Sequence, residues 1–146
     1  MNPLSPQSDE RIRAAILDIL WRYTPLRRTY AQMDVSVQDG IVTLTGTVGS
    51  MIMKRIIVDE VSRLPGVRAV QANEFYDDTS LQLVVARALA SNPSTHLADD
   101  QVYIHVHHGR VVLTGRVSSS AKREAIEETA AAVPGVRGVV NRLKIV

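Results

Sequence analysis

The chain repeats itself, and that limits its folds more than any single motif. A shift of 69 residues, the interval from Gly40 to Gly109, lays Gly40-Ile41-Val42-Thr43-Leu44-Thr45-Gly46-Thr47-Val48 on Gly109-Arg110-Val111-Val112-Leu113-Thr114-Gly115-Arg116-Val117. The same shift lays Pro65-Gly66-Val67-Arg68-Ala69-Val70 on Pro134-Gly135-Val136-Arg137-Gly138-Val139, with Val37 on Val106 and Ile57 on Ile126. Self-similarity at a fixed period marks one supersecondary unit used more than once. The units are 8–77 and 78–146.

Local signals then order the elements. Ser8-Asp9-Glu10 starts a helix whose apolar positions are Ile12, Ala15, Ile16, Ile19 and Tyr23, and Pro25 ends it. Val35-Ser36-Val37 alternates as a strand does, and Asp39-Gly40 supplies a tight turn. Val42, Leu44 and Val48 continue into a second strand, with Gly46 as a bulge or a close approach. Ser50 caps a second helix with core positions Met53, Ile57, Val61 and Leu64. Pro65-Gly66 stops it before a third strand, Val67 to Phe75. Unit two repeats the order: a helix at Leu81–Ala90, a hairpin at Tyr103–Val117 turning on His108-Gly109, a helix at Ser120–Val133 and a strand at Val136–Ile145. The expected class is α+β: two tandem α-β-β-α-β units, each a three-stranded mixed sheet with two helices on one face.

This pattern resembles the BON domain, a bacterial module of osmotically inducible periplasmic proteins. In unit one the resemblance rests on Val35, Val37, Gly40, Val42, Leu44, Gly46, Val48, Gly66, Val67 and Val70. In unit two it rests on Ile104, Val106, Gly109, Val111, Leu113, Gly115, Val117, Gly135, Val136, Val139 and Asn141. The resemblance implies a non-enzymatic binding module that associates with a phospholipid membrane or an envelope partner protein, in a stress-response setting. It carries no catalytic residue to any position here. Compartment is read two ways. No secretory signal is visible in MNPLSPQSDERIR, which points to the cytoplasm, whereas the family resemblance points to the periplasm.

Composition narrows the chemistry. The absence of cysteine excludes disulfide scaffolds, thiolate metal sites and cysteine nucleophiles. A balance of 17 basic against 15 acidic residues, net +2, is no footprint for nucleic acid. No stretch of about 18 apolar residues exists to span a bilayer. Catalytic constellations are missing too. Ser118-Ser119-Ser120 reads as a turn and helix cap, and the adjacent Glu127 and Glu128 diverge on their helix. No cofactor is expected.

Three features suggest binding surfaces. His105 and His107 fall on one face of a strand and could hold a zinc or nickel ion, although a closed site needs about four ligands. The plainer reading is that Tyr103, His105 and His107 lie on an outer sheet face. Leu17, Trp21, Arg22, Arg27 and Arg28 form a candidate lipid or partner contact, because an indole beside guanidinium groups suits a membrane interface. The plainer reading buries Trp21 between the units or under the loop at 24–33. Met51, Ile52, Ile56 and Val58 make the helix after Ser50 apolar on several sides. These residues are an expected interface for a protein adaptor or a homo-oligomer.

Overall fold

The structure, a computed structural model, describes residues 6–22, 32–96 and 101–146. Tyr23, Arg27, Arg28, Asp99 and Asp100 lie outside the described residues. The chain divides into two compact units, Met1–Asp77 and Asp78–Val146.

In the first unit the order is α1 (Pro6–Arg22), β1 (Met33–Gln38), β2 (Ile41–Val48), α2 (Met51–Ser62) and β3 (Ala69–Asp77). Strands β1 and β2 pair antiparallel across a two-residue turn, with Gln38 opposite Ile41. Asp39 and Gly40 both have positive φ, 52° and 77°, which matches the twist of the hairpin they join. Strand β3 returns through α2 and lies parallel to β2, giving the order β1-β2-β3. Ser50 caps α2, its hydroxyl accepting from the Met53 amide at 3.2 Å.

The core lies between one sheet face and the two helices. Ile12, Ile16 and Leu20 of α1 meet Val42, Leu44 and Val48 of β2, Ile57 and Val61 of α2, and Phe75 of β3. Leu20 is fully buried, whereas Ile19 is only partly so. The fully buried stripe of α1 therefore steps by four residues, with Leu20 at its end and Ile19 packed beside it against the core.

The second unit repeats this order with α3 (Asp78–Ser91), β4 (Gln101–His107), β5 (Arg110–Val117), α4 (Ser120–Ala131) and β6 (Gly138–Ile145). A short 3₁₀ turn at Pro93–Thr95 follows α3, and the Thr95 hydroxyl donates to the Leu89 carbonyl at 2.7 Å. His108 and Gly109 repeat the positive-φ turn, at 49° and 77°. Leu81, Val85, Leu89, Val111, Leu113, Val117, Ile126, Ala130 and Leu143 are buried.

Glycine is required where the hairpins cross the preceding chain. A Cβ on Gly46 would sit 2.3 Å from the Gln32 carbonyl oxygen, and one on Gly115 would sit 1.9 Å from that of Gln101. These are close approaches, one of the two roles expected for Gly46.

The repeats lose register once. Thr43 pairs with Gln71 but Thr45 pairs with Glu74, so β3 carries one extra residue as a bulge. In unit two, Thr114 pairs with Arg142 and the ladder runs unbroken. Phe75 opposite Gly46 thus occupies the place that Leu143 takes opposite Gly115.

Candidate functional site

The two hairpin turns are held by one device used twice. In unit one the Asp9 carboxylate accepts from the Asp39 amide and from the Gly40 amide, each at 2.9 Å. In unit two Asp78 accepts from the His108 amide at 2.7 Å and the Gly109 amide at 2.9 Å. Asp9 and Asp78 coincide under the repeat, a signal in the sequence that the helix-start reading of Asp9 alone left unused. The other side of each turn is tied as well. The Arg68 amide donates to the Gly40 carbonyl and the Arg137 amide to that of Gly109, both at 2.8 Å. Both turns are thus clamped between a helix start and a third strand. They serve as fixed ends for the sheets.

The sheet faces away from the helices differ sharply between units. Alternation places Gln101, Tyr103, His105 and His107 of β4 on the open face of the second sheet, all exposed. Register adds Arg110, Val112, Thr114 and Arg116 of β5, then Gly138, Val140, Arg142 and Lys144 of β6. Arg110, Arg116, Arg142 and Lys144 are exposed basic side chains there, and no Asp or Glu stands among these positions. Across the strands, His107 faces Arg110, Tyr103 faces Thr114 with Arg142 beyond, and Arg116 lies between Gln101 and Lys144. A row of His105, Val112 and Val140 crosses the middle. Tyr103 is 64% and Val140 42% exposed.

The corresponding face of the first sheet carries Asp34, Ser36 and Gln38 on β1, Thr43 and Thr45 on β2, and Gln71 and Glu74 on β3. Among these described positions are two carboxylates and no cation. A net charge of +2 over the whole chain hides this contrast, since it averages an acidic face with a basic one. The cationic face was therefore missed from sequence. Alternation on three paired strands would have revealed it, but only once the register was known.

The expected sites are placed as follows. His105 and His107 are exposed neighbours on β4, and the His107 ring stands edge-on to that of His108 at 4.4 Å. Among the described residues no cluster of three or more His, Cys, Asp or Glu is assembled for a metal ion. Trp21 is 61% exposed on the last turn of α1, Leu17 is half-buried, and Arg22 bonds Asp18 one turn earlier at 2.5 Å. On α2, Ile52 is 72% exposed and Met51 and Ile56 are exposed beside it. Val58 is instead partly buried and packs on the core. An apolar groove of about 430 Å³ lies between α1 and the end of α2, lined by Ile12, Ala15 and Leu64. Unit two has its counterpart at Val84, Ala88 and Val133.

A model of the BON domain matches this chain twice, over residues 8–75 and 77–146. The chain belongs to the BON-domain family. Among solved structures, the C-terminal domain of CdsD, the structural protein of the type III secretion system of Chlamydia trachomatis, is similar at a TM-score of 0.71. Identity is 15%, over 94% of this chain and 67% of that one. A second structure of CdsD gives a TM-score of 0.42 at 14% identity, over 91% of each chain. No curated protein sequence matches the chain. At such identities the likeness is one of fold. Among the described residues of this tandem BON protein, no helix is long and apolar enough to cross a membrane.

Proposed function

We propose that this tandem BON protein is a non-enzymatic binding module that docks on an anionic phospholipid surface of the bacterial envelope. The observation that carries the reading is the open face of the second sheet, where Arg110, Arg116, Arg142 and Lys144 lie with no carboxylate among them in the described residues. Basic residues held near an anionic leaflet are each worth about 1 kcal/mol. Four on one rigid face suffice for reversible, salt-sensitive association. Membership of the family and the fold shared with a secretion-system structural protein support a module that binds and does not catalyse. Trp21 offers unit one a separate contact at headgroup depth, with Leu17, Arg22, Arg27 and Arg28 around it in sequence.

Co-sedimentation with vesicles of phosphatidylcholine, with and without phosphatidylglycerol, tests the proposal. The wild type should pellet with the anionic vesicles at low salt and be released by high salt. Arg110→Gln with Arg142→Gln should weaken the association by about 30-fold, two cations' worth. Equal binding to neutral and anionic vesicles, or full binding by the double variant, would overturn it.

A second reading is favoured by Met51, Ile52 and Ile56, exposed together on α2. There the protein would be an adaptor or homo-oligomer whose partner covers that strip.

A further inference from the structure

The cationic face also holds two imidazole side chains. His105 and His107 stand exposed on β4 among Arg110, Arg116, Arg142 and Lys144. Their cross-strand partners are Val112 and Arg110. Beyond Val112 and Arg110 lie Val140 and Gly138 on β6. Tyr103 precedes them on their own strand, and the His108 ring follows, edge-on to that of His107 at 4.4 Å. Among the described residues no carboxylate shares this face, and the helices α3 and α4 pack against the other one. Asp78 is turned to the amides of His108 and Gly109 behind the hairpin. The matching positions of unit one, Ser36 and Gln38, do not titrate.

We infer that proton uptake by His105 and His107 strengthens the docking of this face on an anionic surface, so that the protein's hold on a membrane tightens as the pH falls. The inference rests on the phospholipid reading above and adds its regulation. Imidazole is the side chain whose charge ordinarily changes between pH 5 and 8. An anion held at the face favours the protonated rings, and by linkage the protonated rings favour the anion. Two further charges on a face that already carries four extend an existing field. They need no conformational change. Each should tighten binding about fivefold, the increment of one basic residue at an anionic leaflet.

The test measures binding to phosphatidylcholine–phosphatidylglycerol vesicles at pH 7.5 and pH 5.5, at one ionic strength and with EDTA present. The phosphatidylglycerol phosphate stays ionised across this range, so the change belongs to the protein. The wild type should bind about 10- to 30-fold more tightly at the lower pH. His105→Gln with His107→Gln should bind like the wild type at pH 7.5 and lose most of the gain at pH 5.5. His96→Gln, which alters a histidine away from β4, should keep the gain. Circular dichroism of each variant at both pH values checks that the fold is retained. A wild-type affinity that does not change with pH overturns the inference, and so does a full gain in the His105, His107 variant. Either result leaves the phospholipid reading standing if binding at pH 7.5 is seen and is lost in the Arg110, Arg142 variant. No binding to anionic vesicles at either pH overturns both. Binding of a single-stranded oligonucleotide with vesicles ignored would move the face to nucleic acid, and it also overturns both.

Discussion

At the scale of single residues, the strongest structural commitment is the carboxylate that grips each turn. Asp78 is buried and satisfies two amides, one of them buried; Asp9 is half-buried and does the same nearer to solvent. Removing an acceptor leaves its donors unpaired, which costs about 1–3 kcal/mol when they are out of water. Asp78→Ala should therefore lower stability in a urea titration by about 2 kcal/mol, and Asp9→Ala by less. Equal small losses would show that solvent replaces both carboxylates. Glycine sets a harder limit. Gly115→Ala would drive a methyl into the Gln101 carbonyl at a φ of 120°, so a loss of about 3 kcal/mol or more is expected. The close approach at Gly46 was legible in the sequence because a glycine inside an alternating strand needs a reason. The role of Asp9 was not, because the amides that donate to it lie some thirty residues downstream and only the folded hairpin brings them back.

At the scale of elements, the repeat made most of the fold readable. Two copies of the same capping serines, turns and Pro-Gly stops outvote the ambiguity of any one, and Ser50 and Ser119 both cap as their spacing implies. What stayed hidden was which helical residue wins a buried seat. Ile19 and Leu20 are equally apolar, and only packing in the folded core decides for Leu20. Helix α2 separates two expectations. Val58 is partly buried and packs on the core, whereas Ile52 and Ile56 are exposed and available to a partner. Ile52→Glu with Ile56→Glu should leave stability within about 0.5 kcal/mol of the wild type, as exposed substitutions generally do. If the strip builds an assembly, the light-scattering mass should fall to that of a monomer. An unchanged mass would remove the strip from consideration.

At the scale of the whole molecule, one architecture is used for two unlike surfaces. The helix-facing sides of both sheets are apolar by the same pattern, so they were predictable. The open sides diverge freely because nothing in the core constrains them, and there the units differ by Asp34 and Glu74 against Arg110, Arg116, Arg142 and Lys144. Salt should expose the difference. Vesicle binding by the wild type should weaken steeply between low and physiological ionic strength, because exposed charges are screened beyond about 8 Å at 0.15 M. A salt-independent affinity would instead assign the contact to apolar groups such as Trp21.

The bulge in β3 also decides how the two halves could be recombined. Splicing the end of β6 onto β3 beyond the bulge at the repeat interval of 69 would bring Lys144 to the buried seat of Phe75 and reverse the facing of every later side chain. Exchange at an interval one residue shorter would seat Leu143 there. The halves are thus interchangeable parts only for a splice that respects the inserted residue. Chimeras cut on either side of it should divide into folded and unfolded sets by parity alone.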